Sequence, residues 1–265
     1  MIKKLLKMSK HRKLLRIAVI FGLLISGSIH IWAISPEETI SKAGKAYSSG
    51  QYSEAAEAYK SVIDGGYESS DLYYNLGNAY FKMQDYPNSI LWYERAKKLD
   101  PGNENVDFNL NVANTKISDK IDPIPELFYK RWYKNLIFSL SVDTWARLTI
   151  ISLFLSLAGF ILYQISRILF LRKAGFWAGL SLVVISLFFL LFAWSGHYYL
   201  TSDDEGIVFS ATITAKSSPD DNSTDLFVLH EGTKVVLLDN INGWYEIRIA
   251  NGSVGWLPHT SLVKI

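Results

Sequence analysis

The 265-residue sequence contains no cysteine. Disulfides, thiolate zinc sites, iron–sulfur clusters and a lipidated anchor cysteine are therefore excluded. Charge is also scarce, at 20% of residues where soluble domains carry about 25%. The shortfall, beside a hydrophobic share of 49%, points to membrane segments. The formal charge of +2 is an average over unlike regions. Residues 1–33 hold seven basic groups and no acid, and 34–126 hold nine basic and fifteen acidic ones. Residues 127–200 hold seven and one, and 201–265 hold four and nine. A basic excess is thus missing from the soluble regions, which argues against a nucleic-acid binder.

Positive charge opens the chain, with Lys3, Lys4, Lys7, Lys10, Arg12, Lys13 and Arg16 ahead of the apolar run IAVIFGLLI at 17–25. A basic leader, a short apolar core and a small-residue exit read as a signal peptide over 1–33. Cleavage after Ala33 or after Ser28 fits, and an uncleaved anchor of roughly 17 residues is the alternative. Two longer runs, 148–165 and 176–194, hold no charged residue. Each reaches about 27–29 Å as a helix, one hydrocarbon core, and neither has the amphipathic stripe of a soluble core helix. Arg167, Arg172 and Lys173 lie between them, whereas Asp143 and Asp203, Asp204 and Glu205 lie at the other ends. The positive-inside rule then places the link in the cytoplasm and both flanking regions outside. The expected divisions are spans at 147–166 and 176–196, a cytoplasmic link at 167–175, and a juxtamembrane segment at 123–146. The aromatic, basic stretch 127–140 within that segment reads as an interfacial helix touching membrane lipid.

Before the membrane, residues 34–122 contain an internal repeat. Leu76-Gly77, Tyr80, Ser89, Tyr93, Ala96 and Pro101 resemble a tetratricopeptide repeat, and Gly44, Tyr47, Ala55, Tyr59 and Val62 reproduce it upstream. Tyr59 and Tyr93 are offset by 34 residues, but Gly44 and Gly77 by 33, so the first repeat is read as one residue shorter in its turn. Two antiparallel helix pairs follow, with 105–117 as a capping helix. The concave face would offer Asp71, Tyr74, Asn78, Phe81 and Lys82 to a protein partner, with Glu38, Ser41, Lys45, Ser48 and Ser49 from the first repeat.

Beyond the membrane, residues 203–265 read as seven short strands at 207–210, 213–216, 226–229, 234–239, 244–249, 254–257 and 262–265. Asn242-Gly243 and Asn251-Gly252 are expected as tight hairpin turns. So many strands in so short a stretch suggest a small closed barrel, and Gly232-Thr-Lys-Val, Gly243-Trp244-Tyr245 and Gly255-Trp256-Leu-Pro258 resemble a bacterial SH3 domain, which implies a groove with Trp256 and Tyr245. The expected fold class is a multidomain membrane protein: an α-helical array, a two-helix transmembrane hairpin and a small all-β SH3-like barrel. No phosphate loop, nucleophile elbow or zinc-binding helix occurs, so no catalytic residue, metal or cofactor is expected.

The order of these parts resembles the BatE-type proteins of the Bat aerotolerance family. Residues 121–132 (IDPIPELFYKRW), Ser141-Val-Asp-Thr-Trp145, 171–177 (LRKAGFW) and 224–234 (TDLFVLHEGTK) carry that likeness. The resemblance implies a noncatalytic scaffold in the inner membrane, multi-pass, with both modules in the periplasm. It further implies von Willebrand A-domain partners and, indirectly, a MoxR-type AAA ATPase. Peptidoglycan sensing through the SH3-like module is the alternative function.

Overall fold

The computed structural model describes residues 35–125, 127–202 and 204–265. The signal-peptide reading of 1–33 lies outside them. The repeat region forms four helices, α1 (Pro36–Ser48), α2 (Tyr52–Asp64), α3 (Ser70–Lys82) and α4 (Tyr86–Leu99), followed by α5 (Glu104–Asn114). Local chemistry sets their starts. Ser69, Asp85 and Asn103 accept backbone N–H groups of the first turns of α3, α4 and α5, and Pro87 occupies the first turn of α4, where no N–H is needed. Buried Ala43, Ala55, Leu76, Ala79, Ile90, Tyr93, Ala96 and Val106 form the core between them.

The repeat offset is 34 throughout, which corrects the 33 read for the first helices. Both inter-helix turns hold three residues, 49–51 and 83–85. The ring pair Tyr47–Tyr52, 5.3 Å apart, recurs 34 residues later as Phe81–Tyr86 at 5.7 Å. Ala43, fully buried, is thus the counterpart of Gly77, and Tyr47 that of Phe81. Adjacent small residues at 43 and 44 hid the register, because glycine alone was read as the crossing point.

After a connecting segment come α6 (Phe128–Ile137), α7 (Val142–Ile165) and α8 (Leu169–Thr201). The last two are long and apolar enough to cross a membrane, with mean hydropathies of 2.0 and 2.4. Only 17% of the most apolar stretch of each is buried, unlike the core helix of a soluble domain. Buried Ser152, Ser156, Gly175, Gly179 and Ser186 line the seam, where the Ser156 hydroxyl donates to the Gly179 carbonyl at 2.9 Å. The link expected over 167–175 is mostly helix. α8 starts at Leu169, so the turn is confined to 166–168.

The C-terminal region is an antiparallel sheet of β1 (Glu205–Val208), β2 (Thr212–Lys216), β3 (Asp225–His230), β4 (Lys234–Ile241), β5 (Trp244–Arg248), β6 (Val254–Pro258) and β7 (Leu262–Lys264). Seven strands stand where seven were expected. The order is β3-β2-β6-β5-β4-β1-β7. Strands β3 and β7 are edges that do not pair with each other, so the sheet is not closed, contrary to the expected barrel. Asn242 and Gly243 both have positive φ, as a two-residue hairpin turn requires. The second expected tight turn also forms: the Ile249 N–H donates to the Ser253 carbonyl at 3.0 Å and the Gly252 N–H to the Ile249 carbonyl at 2.9 Å, with Gly252 in the left-handed region.

Sheet and helices are packed together, not merely strung along one chain. Ile207 and Ile265 are buried in the helical core. Lys234 Nζ of β4 reaches Glu94 of α4 at 2.9 Å and Glu205 of β1 at 2.8 Å. Arg95 donates to the Lys264 carbonyl at 2.8 Å, and Lys98 to the carbonyls of Ser202 and Ile265. Beyond α5, Asp119 accepts hydrogen bonds from the His230 N–H at 2.8 Å and the Thr233 hydroxyl at 2.6 Å, and pairs with His230 Nδ1 at 2.7 Å.

Candidate protein-binding groove

Close helix crossing creates the groove. A Cβ at Gly77 would lie 2.7 Å from the Tyr93 ring, so glycine lets α3 and α4 meet at that point. The Ser89 hydroxyl of α4 donates to the Gly77 carbonyl at 3.0 Å across the same contact. On either side of Gly77 along α3, the side chains at 74, 78, 81 and 82 emerge on one face. Tyr74, Asn78, Phe81 and Lys82 line one cavity of about 280 Å³ with Tyr47, Tyr93, Asn109 and Val112.

The polar groups of this cavity are preorganised. Asn78 Oδ1 accepts from the Tyr93 hydroxyl at 2.6 Å and from Asn109 Nδ2 at 2.8 Å, and Asn109 Nδ2 also reaches the Tyr74 hydroxyl at 2.9 Å. The Asn78 amide N–H groups make no hydrogen bond among the described residues. Burial pushes the Tyr93 phenol well above its ordinary value, so it stays a neutral donor. Burial, with Tyr52 and Tyr74 nearby, raises Tyr47 likewise. Lys82 is the one charged lining residue, and it is exposed. Neutral donors, aromatic walls and a single rim cation suit an extended peptide with a carbonyl or carboxylate acceptor.

Four of the five side chains expected on the α3 face thus converge. Asp71 is exposed in the first turn of α3 and does not line the cavity. Of the first-repeat residues, Ser41, Lys45, Ser48 and Ser49 lie outside the lining, and Tyr47 contributes in their place. The corrected offset explains this, since Tyr47 matches Phe81. Asn109 and Val112 carry no such signal, because the sequence marks 105–117 only as a capping helix.

The two SH3-like candidates do not share a groove. Cross-strand partners point to the same side of a sheet, and neighbours along a strand to opposite sides. Tyr245 pairs with Leu257, which is fully buried, whereas Trp256 pairs with Glu246. The Tyr245 ring stacks on His259 at 3.8 Å and has Lys264 over it at 5.4 Å. Tyr245 therefore serves the sheet core, and Trp256 emerges on the other face. Among the described residues no cluster of His, Asp and Glu could hold a metal ion.

A tetratricopeptide repeat family model matches residues 43–104. That stretch contains α2, α3, α4 and most of the groove. No curated protein matches the chain.

Proposed function

We propose that the chain is a noncatalytic, membrane-anchored adaptor that holds a protein partner in the groove lined by Tyr74, Asn78, Phe81 and Lys82. The convergence of those four side chains on one preorganised cavity carries the reading, and the tetratricopeptide match supports protein binding as the task of this region. In this proposal α7 and α8 form a hairpin in the inner membrane, and the cations near 166–175 hold its turn in the cytoplasm. Helical array and sheet then lie on the periplasmic side. The likeness of the whole chain to Bat-type proteins favours a stress-tolerance complex, with von Willebrand A-domain proteins as direct partners and a MoxR-type AAA ATPase beyond them.

The test is crosslinking in intact membranes followed by purification of the full chain. Tyr74→Ala with Phe81→Ala should abolish recovery of the partner, while Phe108→Ala, an exposed ring of α5 outside the cavity, should leave it unchanged. Equal recovery with the double variant would overturn the groove as the binding site.

A further inference from the structure

A second cavity, of about 470 Å³, lies between α6 and the last turns of α8. Its size is in the range of small-molecule sites, roughly 300–1,000 Å³. Its walls are aromatic: Tyr133 and Phe138 from the α6 side, Trp194, Tyr198 and Tyr199 from α8. Lys134 is the only charged residue in the lining.

The walls are fixed in place. The Tyr133 and Ser195 hydroxyls are 3.0 Å apart, and Trp145 Nε1 donates to the Ile137 carbonyl at 2.8 Å. The Phe138 and Tyr199 rings meet edge to face at 5.0 Å, and Lys134 Nζ sits 4.6 Å above the Tyr199 ring. Ile137 in the lining is buried, while Phe128 and Trp132 on the same short helix are exposed at 85% and 65%. An aromatic, half-exposed helix against the end of a long apolar helix matches headgroup depth in a bilayer.

Lys130, Arg131 and Lys134 occur with no acidic residue between 127 and 142, though Glu126 and Asp143 flank that stretch, and none of the three forms a salt bridge among the described residues. Lys130 and Lys134, four residues apart, share a helix face. Cations on the outer side of a membrane run against the positive-inside rule. A bound anion gives them a purpose there.

We infer that this cavity holds one anionic phospholipid of the outer leaflet, with an acyl chain between the aromatic walls and its phosphate at Lys134 and Lys130. The inference rests on the membrane reading above. Apolar walls alone would take any lipid chain, and the cations select the headgroup.

Native mass spectrometry of the full chain, purified in detergent with equal phosphatidylglycerol and phosphatidylcholine, tests it. The protein should retain one phosphatidylglycerol in preference to phosphatidylcholine. Lys134→Gln should cut that preference about fivefold, the effect of one surface cation near an anionic lipid. Ser195→Phe, which puts a ring into the cavity, should abolish retention of either lipid with helix content unchanged by circular dichroism. Equal retention of both lipids, or no effect of either variant, would overturn the site, as would a protein chain crosslinked from within the cavity. Recovery of the chain from cells in the aqueous fraction without detergent would refute the membrane reading instead.

Discussion

Asp119 holds the turn between β3 and β4 to the end of the helical array. Its carboxylate is only 12% exposed and accepts from a backbone N–H, a hydroxyl and an imidazole nitrogen. Burial alone would raise its pKa, but the hydrogen bonds from Thr233 and His230 outweigh burial and hold it below the ordinary aspartate value of 3.8. A depressed acid stabilises the fold above its unfolded pKa and loses that effect as pH falls through the folded value. Asp119→Asn should therefore lower stability at neutral pH by about 1.5–3 kcal/mol, as for hydrogen bonds to a charged group. The gap between variant and parent should close as pH falls below 3.8, which thermal melts of both proteins across pH would read. Gly232, in the same turn, has φ +86°, and a Cβ there would come 2.5 Å from Ile117. In the sequence this glycine stands only as part of the SH3-like stretch. Its tight approach to Ile117 depends on a neighbour 115 residues away, which spacing does not reveal.

Between helices, the register of the repeat decides what each glycine is for. Alanine gains about 1 kcal/mol over glycine in a helix interior. At Gly44 the nearest atom to an added Cβ is the Tyr59 hydroxyl oxygen, at 3.8 Å, so nothing opposes that gain. At Gly77 the Cβ would press into the Tyr93 ring, and overpacking costs about 1–3 kcal/mol. Gly44→Ala should hold or raise the melting temperature and Gly77→Ala should lower it. The opposite order would restore the 33-residue register. Helix identity and strand placement were legible because apolar period, caps and turn glycines are local signals. The open sheet edge was not, since strand pairing is decided by distant partners.

At the scale of the molecule, the sequence suggested two separate modules joined through a membrane hairpin, and the structure packs them against each other. Charged residues carry much of that junction, and in a sequence such residues read as solvated surface. Lys234 is the clearest case. Burial would lower its pKa, but the carboxylates of Glu94 and Glu205 hold it above the ordinary lysine value, so it remains an ammonium ion at any physiological pH. Lys234→Met would leave Glu94, whose side chain is 9% exposed, without its cation. A loss of about 1.5–3 kcal/mol is expected in urea unfolding, with faster amide exchange in β4 and α4 than elsewhere. Unchanged exchange there would mean that the apolar contacts of Ile207 and Ile265 suffice. The groove was legible for the α3 face because one helix repeats its own pattern, and not for Asn109, which belongs to a different element. The connection from α8 to β1 is very short: α8 ends at Thr201, β1 begins at Glu205, and Lys98 ties the Ser202 carbonyl between them. On the membrane reading, the groove is then mounted on a rigid post and not on a leash. It cannot reach out for a partner, so capture becomes a two-dimensional search, and a partner that drifts along the same bilayer meets it far more often than one dissolved in the bulk.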